Sequence, residues 1–112
     1  MELKKLQNEI IDFRDKRNWK QFHKIKDLLL GLDIETSELS ELFLWKSEEE
    51  INSIPNHKIE EEIADVFIFL TYICNNFDID LAQAVMKKIE LNGKKYPVEK
   101  SYNSSKKYNE FK

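Results

Sequence analysis

The chain has few of the residues that end helices or crosslink a small fold. Its 112 residues include 2 glycines, 2 prolines and 1 cysteine. So few turn-forming residues argue against a β fold with many turns and favour long helices. Because Cys74 has no second cysteine to pair with, an intramolecular disulfide is impossible. Its position in an apolar run is typical of a reduced core thiol.

A strong charge of one sign and a long apolar run are also missing. The net charge is -3, and the 35% of charged residues mix both signs, so nothing predicts a surface for duplex DNA or RNA. No apolar stretch approaches the roughly 20 residues of a membrane helix. The first residues, MELKKLQNEI, are too charged for a signal peptide. We therefore expect one small cytoplasmic domain without a membrane partner, and pairing with another copy would add to its modest core.

Hydrophobic periodicity predicts four helices, at about 2–17, 24–46, 58–76 and 80–93. The segment VFIFLTYIC in the third also has high β-propensity, and a strand is the rival interpretation. The helical period nevertheless runs unbroken from Ile59 to Phe77, which is too long for one strand. Asp80 is the predicted N-cap of the fourth helix and Asn92-Gly93 its predicted C-cap. We expect an all-α four-helix bundle over residues 1–98, a polar linker at 47–57 and a polar, mobile tail at 99–112.

Two pairs of acids stand at helical spacing in these apolar segments. They are Glu35 with Glu38 and Glu62 with Asp65, and residues three apart are neighbours on one helix face. On a helical wheel Glu35 and Glu62 fall inside the apolar stripe, whereas Glu38 and Asp65 lie at its edge. A buried carboxylate is costly without a cation or hydrogen-bond partner. The acids therefore predict either a divalent metal site or a set of buried salt bridges to Lys or Arg.

The metal interpretation leads to a specific chemistry. Four carboxylates suit a hard cation such as Mg²⁺, for which Mn²⁺ can substitute, and Mg²⁺ is commonly shared between carboxylates and phosphates. Such a site can orient a polyphosphate and lower the pKa of a bound water. Glu41 is a candidate outer acid, and no single general base can be assigned. Trp45 falls beside Glu38 on the predicted helix, so Trp19 and Trp45 are candidates for stacking on a base, with core packing as the alternative.

The order of an ExxE motif, a loop and an ExxD motif resembles the MazG-like superfamily of all-α nucleoside triphosphate pyrophosphohydrolases. The segments FRDKRNWKQFHKIKDLLLGL, ELSELFLWK, EEIADVFIFL and NGKKYPVEKS look like its dCTP pyrophosphatase branch. The resemblance implies Mg²⁺-dependent hydrolysis of a nucleoside triphosphate, dCTP or a modified pyrimidine deoxynucleotide, to the monophosphate and pyrophosphate. It also implies a homodimer or homotetramer that shares helices between subunits.

The resemblance assigns roles by position. The implied metal ligands and catalytic acids are Glu35, Glu38, Glu62 and Asp65. The implied substrate-binding residues are Trp19, His23, Trp45, Phe69, Lys88, Asn92, Lys95 and Tyr96. By spacing alone, the last four lie on one face of a continuing helix, which a solvated basic helix end would also explain. Two other functions stay open: a related hydrolase with another substrate such as dUTP, and a non-catalytic helical regulatory or interaction module.

Overall fold

The structure, a computed structural model, describes residues 1–111, which form helices and turns without a strand. The all-α prediction is confirmed. The α-helices are α1 (Leu3–Lys16), α2 (Ile25–Glu41), α3 (Glu48–Asn52), α4 (Asn56–Asn76), α5 (Leu81–Lys95) and α6 (Val98–Ser101). Two 3₁₀ turns lie at Trp19–Phe22 and Tyr108–Glu110. The four predicted helices are α1, α2, α4 and α5, and the apolar segment that could have been a strand lies within α4.

The described residues form two compact units, Met1–Asp78 and a second that begins at Ile79. In the first unit α2 packs along α4, and α1 packs against α4. Leu28 and Tyr72 are the only hydrophobic side chains of residues 1–111 that are buried. Full burial of such a side chain contributes about 1.5–3 kcal/mol. With only two of them fully buried, the hydrophobic core contributes little to the stability of this unit. The division into a domain at 1–98 and a tail at 99–112 stays a prediction.

A glycine lets α2 and α4 approach closely. A Cβ added at Gly31 of α2 would lie 2.6 Å from Cζ and 2.9 Å from Cδ1 of Phe69, and closer still to its Cε1. Carbon atoms in contact are normally about 3.5–4.0 Å apart. The Phe69 ring of α4 therefore occupies the space that a side chain at position 31 would need.

The second predicted helix ends earlier than expected, at Glu41 rather than Lys46. Turns follow, and Trp45 takes a left-handed φ of 64°. The polar stretch predicted as a linker contains α3, whose N-cap Ser47 accepts a hydrogen bond from the Glu50 N–H while Glu50 Oε1 accepts one from the Ser47 N–H, both at 3.2 Å. This capping box starts a new helix at Glu48, so part of the stretch predicted as a linker is helical.

The second unit departs from the sequence prediction at two points. Asp80 caps α5 as predicted, since its carboxylate accepts a hydrogen bond from the Gln83 N–H at 3.1 Å. The C-cap predicted at Asn92-Gly93 is wrong, because α5 runs through Gly93 to Lys95 and Gly93 has no positive φ. The tail has packing of its own: the Tyr96 ring meets Tyr108 and Phe111 edge-on, at centroid distances of 5.9 and 5.8 Å.

No helix within residues 1–111 combines the length and the apolar character that crossing a bilayer requires.

Candidate metal centre

Packing of α2 on α4 brings together carboxylates that are far apart in the sequence. Glu35 of α2 and Glu62 and Asp65 of α4 each offer an oxygen, and these three oxygens lie within 4.8 Å of one another. All three side chains are half-buried. The helical wheel placed Glu35 and Glu62 inside the apolar stripe, and the structure confirms that both face the neighbouring helix. We call these three residues the acid cluster.

Two oxygens of the acid cluster are buried without a partner. Glu35 Oε2 and Glu62 Oε2 accept no hydrogen bond, and the ion pairs found within residues 1–111 involve no member of the cluster. The alternative of buried salt bridges is therefore not supported. An unsatisfied buried acceptor costs about 1–3 kcal/mol, and more when it is charged. A carboxylate set left in this state fits a cation.

The acids also make each other harder to ionise. Desolvation, the close approach of the Glu38 carboxyl and the charges of Asp65, Glu38 and Glu62 together raise the pKa of Glu35 to about 7. Desolvation raises the pKa of Glu62 as well, followed by the charge and close approach of Glu38. Like charges held close disfavour full ionisation. The cluster thus holds more negative charge than its surroundings neutralise.

Glu38 stands at the rim of the acid cluster. It is exposed and lies outside the group of three, but it is near enough to raise the pKa of both Glu35 and Glu62. The nearby acids Glu41, Glu60 and Glu61 are exposed. The structure therefore brings three of the four predicted ligands together and sets the fourth beside them.

The donor set of the acid cluster indicates which metal would fit. Carboxylate oxygens suit Mg²⁺ and Mn²⁺, whereas zinc sites are usually rich in His and Cys. The group contains three carboxylates and neither of those residues. Mg²⁺ keeps several waters when only a few carboxylates hold it, which leaves positions for phosphate oxygens. The residues present fit a divalent cation of this class.

The two tryptophans are placed differently from one another. Trp19 lies in the first 3₁₀ turn and meets Phe13 edge-on, with centroids 5.9 Å apart, and it remains 42% exposed. Trp45 is 92% exposed. The prediction that Trp45 lies beside Glu38 on a helix face is wrong, because α2 has ended before residue 45. Because both rings remain exposed to solvent, core packing does not fully explain either tryptophan.

His23 belongs to a second polar cluster, at the C-terminal end of α4. Its ring centroid lies 4.4 Å from that of Tyr72, and its buried Nδ1 has no hydrogen-bond partner. Desolvation, followed by the charge of Arg14, lowers the pKa of His23. The cavity there measures about 160 Å³ and is lined by Arg14, Lys20, His23, Leu28, Tyr72, Asn75 and Asn76. We call it the basic cavity.

Sequence reasoning missed Arg14. The side chain is only 4% exposed, and its Nη1 donates a 2.9 Å hydrogen bond to Asn75 Oδ1 on α4. Its Nε and Nη2 contact Asp15 Oδ1 at 2.9 and 2.8 Å. One signal was available, because Arg14 stands four residues after Ile10, a position that continues the apolar stripe of α1.

Phe69 lies next to the acid cluster along α4. It follows Asp65 by four residues, or one helical turn, and its ring meets that of Tyr72 edge-on at 5.7 Å.

A cleft of about 610 Å³ lies at the end of α2 and around α3, with Glu41, Lys46 and Lys58 among its lining residues. No member of the acid cluster lines it. None of the predicted site residues except the outer candidate Glu41 lines that cleft.

The remaining predicted residues lie in the second unit. Lys88, Asn92 and Lys95 are exposed on α5, and Tyr96 follows its last residue. The spacing argument is confirmed to this extent, since one helix carries the first three. Lys95 Nζ lies 5.0 Å above the Tyr108 ring, and the Tyr96 N–H donates to the Asn92 carbonyl at 2.8 Å. A role of these four in substrate binding stays a prediction.

Comparison with known proteins identifies the family. A sequence model described as the MazG-like family matches residues 30–111. The chain is 40% identical over 102 residues to dCTP pyrophosphatase 1 of Mus musculus and 38% identical over 104 residues to that of Homo sapiens. These matches cover 87% and 88% of this chain and 60% and 61% of those proteins, so the chain spans about three fifths of the length of these relatives.

A solved structure agrees with the sequence matches. A pyrophosphatase from Archaeoglobus fulgidus superposes with a TM-score of 0.77 at 37% identity, covering 85% of this chain and 92% of that one. The region matched by the family model, residues 30–111, includes both acid motifs, and the family predicted from those motifs is the one found. The chain belongs to the MazG-like family, and within it resembles the dCTP pyrophosphatases.

Proposed function

We propose that the protein is a metal-dependent nucleotide pyrophosphohydrolase. Its substrate would be a nucleoside triphosphate, dCTP or a modified pyrimidine deoxynucleotide, and its products the monophosphate and pyrophosphate. One observation carries the proposal: the acid cluster, in which two buried carboxylate oxygens have no partner. The names of the relatives, dCTP pyrophosphatase 1 and a pyrophosphatase, support the reaction class.

Glu35, Glu62 and Asp65 would hold the cation, with Glu38 as the fourth carboxylate. Mg²⁺, or Mn²⁺ in its place, would neutralise charge on the polyphosphate and acidify a bound water. In the reaction one water is consumed, the anhydride bond between the α- and β-phosphates breaks, and pyrophosphate leaves. Glu38 is the exposed member of the four, so substrate and water reach its carboxylate first. Glu35 and Glu62, which each bury one oxygen, would instead fix the position of the site.

Two sets of residues, one from each unit, are proposed to hold the nucleotide. We propose that Trp19, His23, Trp45 and Phe69 contact the base and sugar and that Lys88, Asn92, Lys95 and Tyr96 contact the sugar and phosphates. Support comes from the two indoles. Both remain exposed, and stacking of a base on an aromatic ring is worth roughly 1–3 kcal/mol. Because the chain has no glycine-rich phosphate loop, lysines and metal must supply the phosphate contacts.

We also propose a cytoplasmic homodimer or homotetramer that shares helices between subunits. Leu30 and Ile34 stand one turn apart on α2 and are 59% and 57% exposed, and Ile63 on α4 is 53% exposed. Apolar side chains grouped in this way mark interaction surfaces when they exceed scattered exposure. Sedimentation at micromolar concentration should therefore give a multiple of the 13.4 kDa chain mass. A folded monomer at that concentration would contradict the proposal.

The first test is a panel of nucleoside triphosphates with Mg²⁺, in which both products are measured. We expect dCMP and pyrophosphate from dCTP, and kcat/KM higher for pyrimidine than for purine deoxynucleotides. Release of inorganic phosphate instead would place the cleavage at another bond. If Mg²⁺ stabilises the protein against heating and no triphosphate is hydrolysed, the non-catalytic helical module becomes the better account.

A second test addresses the base contact. Trp45→Ala should raise KM for dCTP about tenfold, as expected from loss of a stacking contact worth roughly 1–3 kcal/mol, and should leave the melting temperature unchanged because the ring is 92% exposed. The matched control is Leu44→Ala, which removes another exposed apolar side chain, 55% exposed, from the same segment. An unchanged KM in the Trp45 variant would remove this residue from the pocket.

A further inference from the structure

Gly31 and Phe69 form a contact layer one helical turn from the acid cluster. Gly31 precedes Glu35 by four residues on α2, and Phe69 follows Asp65 by four residues on α4. Residues four apart lie on the same helix face, so the glycine and the ring meet one turn away from the carboxylates on both helices. The Phe69 ring lies where a Cβ at position 31 would be.

We propose that Gly31 is a positioning residue for the metal site: the missing side chain at position 31 seats the Phe69 ring against α2 and so sets the helix spacing at which Glu35 meets Glu62 and Asp65. The inference rests on the proposed metal-dependent function. It assigns to a residue that contacts neither metal nor substrate the task of holding three oxygens within 4.8 Å of one another.

The space around Phe69 explains why a side chain at position 31 would matter. An added Cβ would come within 2.6 Å of the ring, and a helical Cβ cannot rotate away. The ring also meets Tyr72 edge-on, at a centroid distance of 5.7 Å, and Tyr72 is itself only 6% exposed. A methyl group at position 31 would therefore have to displace a ring that already packs on a buried neighbour, or push the helices apart.

A small change in helix spacing is enough to disturb a metal site. Mg²⁺ demands near-ideal geometry with oxygen ligands about 2.0–2.1 Å away, and functional sites must be held to about 0.5 Å. The carboxylates come from two different helices, so an altered distance between α2 and α4 changes the distance between Glu35 and its two partners directly. Residues that orient ligands without touching the metal typically contribute 10–100-fold to affinity.

The chain supplies its own control in its second glycine. Gly93 also lies inside a helix, α5, and an added Cβ there meets no described atom within 4 Å. Gly31→Ala and Gly93→Ala therefore make the same chemical change and the same improvement in helix propensity. They differ in whether the new methyl group has room.

The experiment is a titration with Mn²⁺ followed by electron paramagnetic resonance, on wild type, Gly31→Ala, Phe69→Leu, the double variant and Gly93→Ala. We expect Gly31→Ala to weaken Mn²⁺ binding about tenfold and Gly93→Ala to leave it unchanged. Shortening the ring should relieve the clash, so the double variant should bind Mn²⁺ as Phe69→Leu does. If Gly31→Ala weakened Mn²⁺ binding only by destabilising the fold, shortening the Phe69 side chain as well would not restore the binding.

Each outcome decides the inference. Equal affinity of Gly31→Ala and wild type would overturn it, as would a double variant no better than Gly31→Ala. If Gly31→Ala fails to fold, a double variant that folds and binds Mn²⁺ supports the inference, and one that also fails overturns it. If the wild-type protein binds no Mn²⁺, both the proposed function and this inference are wrong. If the wild type binds Mn²⁺ and Gly31→Ala binds it equally well, only this inference is wrong.

Discussion

The acid cluster and the basic cavity lie along the same helix but differ in how far the protein satisfies them. In the basic cavity Arg14 is hydrogen-bonded to Asn75 and paired with Asp15, with His23 Nδ1 as the exception. In the acid cluster Glu35 and Glu62 each bury an oxygen without a partner. A polar group whose hydrogen bonds are made within the fold stabilises the structure. A buried carboxylate oxygen without a partner costs stability, and a bound cation would satisfy it.

The largest effect should follow from removing a charge of the acid cluster. Glu35→Gln or Glu62→Gln should reduce both Mn²⁺ affinity and turnover by more than the roughly 100-fold upper range for loss of an outer partner. The fold should survive, and the metal-free protein should melt at a higher temperature, because one of several mutually repelling carboxylates is gone. Calorimetry measures the Mn²⁺ affinity and the melting temperature, and a pyrophosphate assay measures turnover.

Each of these variants has a neighbouring control on its own helix. Asp33→Asn on α2 and Glu61→Gln on α4 remove exposed carboxylates and should leave metal binding intact. Near wild-type activity of Glu62→Gln at limiting Mg²⁺ would contradict the metal assignment. A Glu61→Gln variant as inactive as Glu62→Gln would show that net charge, and not the geometry of the cluster, is what matters.

A smaller effect, on stability instead of activity, should follow from the basic cavity. Arg14→Leu leaves Asn75 and Asp15 without their partner, and loss of a buried hydrogen-bonded group costs about 1–3 kcal/mol. Urea unfolding measures this. The matched control is Lys16→Leu on the same helix, where the pair with Asp12 is at 2.9 Å but 72% and 58% exposed, so the cost should stay below about 1 kcal/mol. Equal losses in the two variants would contradict the contrast drawn between buried and exposed pairs.

In the pH dependence of stability, the two regions should have contributions of opposite sign. The pKa of Glu35 is raised from 4.5 to about 7, so the folded metal-free protein holds a proton that the unfolded chain has lost, and this site loses stability as pH rises from about 4.5 to 7. The pKa of His23 is lowered from 6.5, so the folded protein holds fewer protons, and this site gains stability as pH rises towards 6.5.

Thermal melting in EDTA across this pH range separates the two contributions. Glu35→Gln should remove the falling part of the profile, and His23→Gln should remove the rising part. Saturating Mg²⁺ should abolish the falling part as well, because bound metal keeps the carboxylates ionised. A profile that Glu35→Gln leaves unchanged would contradict the raised pKa.

Periodicity was sufficient to predict the long helices and the inward direction of the acids. The repeat of apolar residues placed Glu35 and Glu62 in the buried stripe, and both have a buried oxygen, while Glu38 at the stripe edge is exposed. This succeeded because the wheel depends only on local geometry, which a helix fixes at 3.6 residues per turn. The distances between α2 and α4 depend on packing, and no wheel contains them.

The failures of prediction lie where short-range chemistry competes with periodicity. The apolar pattern continued past Glu41, but α2 ends there and Trp45 takes a left-handed φ of 64°, so its ring is not on the helix face. Glycine is common at helix ends, but Gly93 lies inside α5 and does not have the positive φ of a helix-ending glycine. Arg14 was missed because a long charged side chain is normally assigned to the surface, and its partner Asn75 is 61 residues away.

The unequal surroundings of the two tryptophans give the protein an optical reporter. With only two indoles in the chain, one edge-on to Phe13 and one almost fully in water, the emission spectrum should contain two resolvable populations. Iodide should quench Trp45 far more than Trp19. Any molecule or second subunit that covers residue 45 would shift its emission to shorter wavelength and protect it from the quencher, so nucleotide docking could be followed in real time without a label.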